Sequence, residues 1–386
     1  MSTHGLLNTM RTVLQRRQIA KIFVACLLVS AIPSGASAKS DNPHLDDRIW
    51  STALANDGTV ALVGDFIGTA NFGGKTLRSL GDYDGFVSVL NADGTHRWSR
   101  RVGSLAQDWL AHSAFDSTGA LYVAGLTRGQ MTIGNTTYGN QQRCTLGANC
   151  EDVSVIVKFS PKGEVDWVWE RPEDFTQIYA LAIDNVNHLW TVDTYIYRIG
   201  DVAFGTRFLR FDPSGRLVPG GQPAKRDDEL SGVPDQYAQG LLISDLTVDE
   251  QGDLVATGSI TCMARFSDSG LTITPRSRNS ILALSKGNPK SGRCDYHFPS
   301  SPIDAVVIKF APDGELRWAT NIGSASHDWE DGATYEWLDD VVTLPDGTIL
   351  AGGGYLDRAY DFYRGIRQAK RTAIALSPNG NILGEF

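Results

Sequence analysis

Two similar segments carry the side chains best suited to hold a ligand. Residues 103–109 read Gly-Ser-Leu-Ala-Gln-Asp-Trp, and residues 323–329 read Gly-Ser-Ala-Ser-His-Asp-Trp. An aromatic ring offers a flat apolar face to a sugar or peptide, and a nearby carboxylate fixes the orientation of the bound group. We therefore predict ligand-binding roles for Asp108, Trp109, Asp328 and Trp329. The structural alternative is that each aspartate caps a turn and each tryptophan packs between neighbouring repeat units.

An acidic segment overlaps the second of these copies and could hold a calcium ion. Oxygen ligands clustered in this way suit Ca²⁺, but the D-x-D-x-D-G spacing of a dedicated calcium loop is absent. A solvated acidic surface is the competing interpretation, and no other cofactor is predicted. The acidic residues concerned are Asp328, Glu330, Asp331, Glu336, Asp339 and Asp340.

No motif of an established catalytic class is present. The chain has no G-x-S-x-G elbow, H-E-x-x-H helix, P-loop or dinucleotide-binding fingerprint. A glycosidase would need two or three converging carboxylates, and spacing along the chain cannot show convergence. The sequence therefore favours a non-catalytic protein that binds a protein or glycan partner at the cell envelope or outside the cell. A carbohydrate-active hydrolase or lyase is the alternative.

The overall charge argues against one class of partner. The 386 residues include 35 Lys and Arg against 44 Asp and Glu, which gives a formal net charge of −9. Nucleic-acid binding depends on basic side chains that displace the counterions of the phosphate backbone. We therefore predict no nucleic-acid partner.

The first 38 residues are typical of an export signal. A basic stretch from Arg11 to Lys21 precedes an apolar run from Ile22 to Ile32, and Ala36-Ser37-Ala38 forms an A-x-A cleavage site. The apolar run is shorter than the roughly 20 residues that a membrane-spanning helix needs. We predict a signal peptide at 1–38, no transmembrane segment in the mature chain, and a periplasmic, cell-surface or extracellular location.

Four cysteines remain after cleavage, and an even number in an exported chain favours disulfides. Four cysteines allow three pairings, and pairing between nearest neighbours is the simplest. It would join Cys144 to Cys150 and Cys262 to Cys294. A zinc site is the competing interpretation, although these spacings are not those of zinc knuckles.

A repeat organises the remainder of the chain. Its first signature is a turn ending in glycine, a short apolar run, and another glycine six residues after the first. The third copy substitutes Asn187 and Asp193, and a departure of this kind makes Asp193 a further candidate for ligand binding. The turns fall at intervals of 61, 68, 65 and 95 residues, at positions 58, 119, 187, 252 and 347.

A second signature follows each first one: an apolar strand, a Gly-containing turn and, in three copies, a tryptophan four residues later. The tryptophans are Trp98, Trp167 and Trp318. Each unit would then be two hairpins, or four antiparallel strands. We predict one all-β domain over 39–386, a β-propeller of about five four-stranded antiparallel blades with an insertion at about 262–302. Six or seven blades are the alternative.

The repeat resembles the exported bacterial β-propeller repeats known as SBBP repeats. The resemblance is carried by Gly64-Asp65-Phe66, Ala70–Gly74, Asp84–Val87, Asp93-Gly94 and Trp98, with matching stretches at 121–125, 155–167 and 305–328. These motifs are turn and core positions. The resemblance therefore implies a propeller fold in an exported or cell-surface protein and assigns no catalytic residue.

Overall fold

A computed structural model of the chain describes residues 47–139, 152–171, 177–199, 201–218, 238–239, 241–260, 264–266, 271–273, 304–323, 335–356 and 370–386. Every regular element within these ranges is a β-strand, and every strand pairing is antiparallel. The described residues include no helix that is long and apolar enough to span a membrane. The all-β, antiparallel prediction is confirmed.

The strands form five sheets of four or more strands. The first sheet contains β1 (Arg48–Leu54), β2 (Val60–Ala70), β3 (Leu77–Leu90), β4 (His96–Gly103) and an edge hairpin of β7 (Met131–Ile133) and β8 (Thr136–Tyr138). The second sheet contains β5 (Trp109–Phe115), β6 (Leu121–Arg128), β9 (Asp152–Phe159) and β10 (Val165–Arg171).

The other three sheets repeat the same meander. The third contains β11 (Gln177–Ile183), β12 (Leu189–Ile199), β13 (Asp201–Phe211) and β14 (Ala238–Gln239). The fourth contains β15 (Leu241–Val248), β16 (Leu254–Ile260), β19 (Asp304–Phe310) and β20 (Leu316–Ile322), and a separate hairpin pairs β17 (Ala264–Phe266) with β18 (Leu271–Ile273). The fifth contains β21 (Tyr335–Thr343), β22 (Ile349–Leu356), β23 (Lys370–Leu376) and β24 (Ile382–Glu385).

Residue contacts divide the chain into two compact units, Met1–Pro172 and Glu173–Phe386. The first unit holds the first and second sheets, which share a core that includes Val63, Val89, Val123 and Val157. In the second unit, one core lies between the third and fourth sheets and another between the fourth and fifth. Each of these three cores therefore forms between successive sheets, while a further cluster that includes Phe66 and Phe86 lies within the first sheet.

Ten turns in the five sheets share one geometry. In each, the residue before the turn accepts an amide hydrogen bond from the residue three positions later, which has a positive φ. Glycine tolerates this left-handed conformation because it has no Cβ. The positions are Gly58, Gly94, Gly119, Gly163, Asn187, Gly215, Gly252, Gly314, Gly347 and Gly380. Asp116, Asp184 and Asp249 add side-chain caps, since each accepts amide hydrogen bonds from within its turn.

Asn187 offers a test of this turn geometry, because it is a non-glycine residue with a φ of 63°. Asparagine tolerates left-handed backbone better than alanine, for which the conformation costs roughly 1–2 kcal/mol. We expect Asn187→Ala to lower the free energy of unfolding by about 1 kcal/mol, and Asn187→Gly to leave it nearly unchanged. Urea denaturation of the three proteins measures both changes, and equal stability of the alanine and glycine variants would contradict the assignment.

Two of the three repeat tryptophans, Trp98 and Trp318, join successive sheets. Trp98 donates its indole N–H to the carbonyl of Pro161, and Trp318 donates to the carbonyl of Pro378. In each case the acceptor lies in the second turn of the next sheet. Arg210 makes the equivalent contact with Pro312 from the third sheet, whose repeat lacks the tryptophan. The tryptophan of the second signature therefore marks a contact between sheets in these two copies.

The second glycine of the first signature lies within a strand, opposite a β-bulge in the first strand of its sheet. Gly64 pairs with Ile49, Gly125 with Leu110, Gly258 with Ile243 and Gly353 with Leu338. A Cβ added to any of them would come within 1.8–2.1 Å of a backbone carbonyl oxygen. At these four positions the close approach of the bulged strand leaves no room for a Cβ.

Candidate functional site

The loop from Gly103 to Trp109 joins the first sheet to the second, and Asp108 is buried within it. The Asp108 carboxylate accepts hydrogen bonds from the backbone N–H of Ser104 at 2.5 Å and from that of Arg128 at 2.8 Å. The Asp108 amide donates to the carbonyl of Tyr83 at 2.7 Å. Asp108 therefore holds the loop against β6 through its carboxylate and against β3 through its amide.

Burial is the main influence on the Asp108 carboxyl. It raises the pKa of Asp108 to about 7, and the neighbouring carboxylate of Asp84 adds to the increase, although amide donors oppose it. Burial also raises the pKa of Asp84, against the opposing effect of Arg101. Carboxyls with raised pKa values are common at functional sites, although buried structural networks also produce them.

Asp84 occupies a tight position beside the start of the loop. Its carboxylate accepts a 2.7 Å hydrogen bond from the Arg101 guanidinium and a 3.1 Å bond from the amide of Leu80. A Cβ on Gly103 would lie 2.5 Å from the Asp84 carboxyl carbon. The fourth sheet repeats the arrangement with Asp304 packed against Gly323. The glycine that opens each loop therefore makes room for a buried aspartate.

An exposed tryptophan lies at the start of β1. Trp50 is 51% exposed, and its indole N–H donates to the carboxylate of Asp65. The Arg48 guanidinium lies 5.3 Å from the Trp50 ring centre and 5.1 Å from that of Tyr83, and it pairs with Asp65 at 3.3 Å. We call Trp50, Arg48 and Asp65 the Trp50 group. Stacking on a guanidinium and an indole hydrogen bond hold this ring in one orientation.

Trp109 forms a second group of the same composition at the start of β5. Its ring is partly buried, and the guanidinium of Arg128 lies 6.0 Å from the ring centre. Arg128 in turn pairs with the carboxylate of Asp152. We call Trp109, Arg128 and Asp152 the Trp109 group. Like the Trp50 group, it combines an aromatic ring, a guanidinium and a carboxylate.

The strands that carry the two groups contact each other. Ser51 of β1 and Ser113 of β5 share a hydrogen bond of 2.8 Å between their hydroxyls. Tyr83 provides a second connection, because its ring stacks on Arg48 while its carbonyl accepts the Asp108 amide. The Trp50 and Trp109 groups therefore belong to one continuous region of the first unit.

The second unit repeats the combination at the start of β21. Trp337 donates its indole N–H to the carboxylate of Asp339 at 3.2 Å, and Arg371 donates to the same carboxylate at 2.7 Å. These residues form the Trp337 group. An indole, a guanidinium and a carboxylate therefore come together at the first strand of three sheets.

The sequence-predicted residues fall in different settings. The structure brings Asp108 and Trp109 together in the first unit. Asp193 is buried in β12, opposite Ile178, at the position where the other four sheets have glycine. The residues Asp328, Trp329, Cys144, Cys150, Cys262 and Cys294 lie outside the described part of the chain. Ligand binding by Asp108, Trp109, Asp193, Asp328 and Trp329, and both disulfides, stay predictions.

The acidic segment is described only in part, from Tyr335 onwards. Asp339 pairs with Arg371, as noted above. Within the described ranges, no group of three or more His, Cys, Asp or Glu side chains is arranged to hold a metal ion. Calcium binding by this segment stays a prediction.

Sequence reasoning missed the Trp50 group. Its members come from β1 and β2, and Trp50 is the extra residue of the bulge between Ile49 and Ser51. The signal available in the sequence was the pair of large polar and aromatic residues, Arg48 and Trp50, at the start of an otherwise apolar repeat strand. The partner carboxylate, Asp65, stood within the repeat signature.

Comparisons with known proteins identify no family. No protein-family model matches the chain, and no curated protein matches it. Among solved structures, it is similar to a protein of unknown function from Dyadobacter fermentans DSM 18053, with 11% identity, a TM-score of 0.43, and coverage of 88% of this chain and 82% of that chain.

Two rhamnogalacturonan lyases are also similar in structure, each at 14% identity and 88% coverage of this chain. The lyase from Bacillus licheniformis has a TM-score of 0.39 and the exo-type lyase 0.37, and the chain covers 57% and 56% of their lengths. Similarity at this level carries no argument about activity, which must be sought in the site itself.

Proposed function

We propose that this protein is an exported, five-bladed β-propeller that binds a glycan through the Trp50 and Trp109 groups without altering it. The five meanders, with their common turn geometry and bulges, support the propeller, because radial repetition of four-stranded sheets is how such units protect their edges. The leader-like residues 1–38 support export.

The observation that carries the binding proposal is the orientation of Trp50. An exposed tryptophan contributes nothing to a core, yet this ring is held by a guanidinium and a carboxylate. A rigid ring loses little conformational entropy when a ligand stacks on it. The apolar C–H face of a pyranose fits such a ring, and its hydroxyls can bond to charged groups at the ring edge. Arg48, whose side chain is 46% exposed, supplies donors there, while the buried Asp65 holds both Arg48 and Trp50 in place.

An extended glycan suits this region better than a single sugar. The contact between Ser51 and Ser113 places the first strands of two sheets side by side, and each strand begins with a tryptophan group. A chain of several sugar units could therefore contact both rings, and the second contact would be intramolecular. Asp84 and Asp108 are fully buried and support the loop from within, which favours binding over catalysis.

Removing either ring should weaken glycan binding. We expect Trp50→Ala and Trp109→Ala each to lower affinity by about ten-fold or more, equivalent to about 1.4 kcal/mol. A glycan array with the mature protein would first find the ligand, and isothermal titration would then compare the variants. Leu54→Ala is the matched control, because this exposed residue lies at the other end of β1.

Three outcomes would reject the proposal. If no glycan binds, a protein partner becomes the leading interpretation, and the same tryptophan variants can be tested by pull-down from the culture supernatant. If the ligand is shortened during incubation, the protein is a hydrolase or lyase. If Leu54→Ala weakens binding as much as the tryptophan variants, the site lies elsewhere.

A further inference from the structure

The hydroxyl of Ser104 lies at the centre of a hydrogen-bond network that has too few protons unless Asp108 carries one. This oxygen lies 2.5 Å from the carbonyl oxygen of Arg128, and 2.9 and 3.1 Å from the two carboxyl oxygens of Asp108. It also accepts a hydrogen bond from the amide of Ala106 at 3.0 Å. A serine hydroxyl has a single proton to donate, but the carbonyl and an ionised carboxylate would each need it.

The short contact to Arg128 decides where the serine proton goes. If Ser104 donated to Asp108, its oxygen and the carbonyl oxygen of Arg128 would face each other at 2.5 Å with no proton between them. If Ser104 donates to that carbonyl, its oxygen is free to accept from a protonated Asp108. All the contacts are then satisfied, because the carboxyl group still accepts the amides of Ser104 and Arg128.

The charged groups around Asp108 act in both directions, because Asp84 opposes its ionisation and the guanidinium of Arg128 attracts the ionised form. Asp84, from β3, is the nearest like charge, and it opposes ionisation of Asp108. Arg101 of β4 is paired with Asp84, and Arg128 of β6 is paired through its side chain with Asp152 of β9. Among the described residues, no cation forms an ion pair with Asp108. Burial without a paired cation favours the neutral acid.

We propose that Asp108 is a neutral acid that latches the loop of residues 103–109 onto β6, and that its ionisation releases the loop. The latch consists of Asp108, Ser104 and the carbonyl of Arg128. When Asp108 loses its proton to solvent, Ser104 can bond either the carboxylate or the carbonyl but not both. The ionised carboxylate of Asp108 would then be buried at a cost in free energy, and opening the loop lets water solvate it.

The loop contacts the residues of the binding region, so that its opening would affect them. Its backbone lies directly on β3, where a Cβ on Gly81 would come within 2.4 Å of the Leu105 carbonyl carbon. Trp109 follows Asp108 directly, and Arg128, whose guanidinium stacks on Trp109, provides the carbonyl of the latch. Asp108 is therefore a positioning residue for the Trp109 group. The consequence for glycan affinity, which should be higher at acidic pH, rests on the proposed function.

The direction of the pH effect follows from the raised pKa of Asp108, about 7 in the closed loop against an ordinary value of 3.8. Closure is then favoured below about pH 4, and this advantage is lost progressively as the pH rises to about 7. We expect opening of the loop to increase at least ten-fold between about pH 5 and pH 7 and to level off above that range.

Hydrogen exchange measured by mass spectrometry tests the latch without any ligand. Exchange of the amides of residues 104–109, corrected for intrinsic rates, should increase over this pH range in the wild type. Asp108→Asn cannot ionise, and its exchange should be independent of pH after correction. Asp93→Asn is the control, because this exposed turn aspartate should leave the wild-type profile unchanged. A wild-type profile as flat as that of Asp108→Asn would overturn the proposal.

A direct titration guards against a variant that fails to fold. Carbon-13 labelling of aspartate should show one carboxyl that titrates well above the others, and Ser104→Ala should lower its midpoint because the neutral acid loses its acceptor. If every carboxyl titrates near 4, Asp108 is ionised and the latch is rejected. If the latch behaves as described but no glycan binds at any pH, the proposed function alone fails.

Discussion

Replacing Gly353 with alanine should destabilise the protein by about 3 kcal/mol or more. The new Cβ would lie 1.9 Å from the carbonyl oxygen of Trp337 and 2.7 Å from the Cα of Leu338. Both contacts are with backbone, which cannot move aside as a flexible side chain can. The bulge that pairs β21 with β22 would have to open, and the core of the fifth sheet would be disturbed. Urea denaturation followed by tryptophan fluorescence measures the loss.

Gly352 provides a control in the same strand. A Cβ on Gly352 would meet nothing within 4 Å, so Gly352→Ala should change the free energy of unfolding by less than about 1 kcal/mol. The two substitutions add the same methyl group to adjacent residues of β22. A similar loss for both would show that strand flexibility, and not the close approach of β21, makes glycine necessary at residue 353.

The close approach of the bulged strand explains why a second glycine recurs in the repeat, which the sequence alone does not explain. In the sequence, the second glycine of each pair is simply the residue that follows a short apolar run. In the structure β2 continues from Val60 to Ala70, and Gly64 lies within it, opposite the bulge. A bulge is a property of two strands together, so the pattern within one strand cannot show it. Asp193 is the informative exception, since a side chain occupies the equivalent site in the third sheet.

The turns and strand order were predictable because they depend on neighbouring residues. A glycine at a positive φ determines the turn of a hairpin locally. Two hairpins in each repeat then give four strands in chain order, which pair as a meander. The tryptophan groups were not predictable in the same way. Asp65 reaches Trp50 from another strand, and Asp152 reaches Arg128 from a strand that follows a long connection. Such contacts depend on register between strands, which the repeat signature does not specify for charged residues.

The second, third and fourth sheets each contain a buried ion pair that the repeat pattern does not reveal. In each, the turn-capping aspartate pairs with a cation near the end of the third strand. The pairs are Asp116 with Lys158, Asp184 with Arg210, and Asp249 with Lys309. Lys158 and Arg210 also lie over the rings of Tyr122 and Trp190. One carboxylate therefore both shapes the turn and neutralises a cation within the sheet.

Lys309→Met should destabilise the protein by roughly 3–5 kcal/mol, the usual cost of breaking a buried ion pair. The Lys309 ammonium lies 2.7 Å from the Asp249 carboxylate and 3.3 Å from that of Asp253, and all three side chains are buried. Methionine has a similar volume but no charge. Asp253 would keep its 2.8 Å pair with Arg317, so the cost would fall mainly on Asp249. Chemical denaturation measures the loss.

Two comparisons separate the charge from the lost packing. Arg216→Met removes an ion pair with Asp212 in which the arginine side chain is 81% exposed, and it should cost less than about 1 kcal/mol. Adding Asp249→Asn to Lys309→Met removes the orphaned charge while keeping an acceptor for the amides of Gln251 and Asp253. The double variant should therefore recover part of the stability. If it is less stable than Lys309→Met alone, the carboxylate of Asp249 stabilises the turn even without Lys309, and an orphaned charge is not the main cost of Lys309→Met.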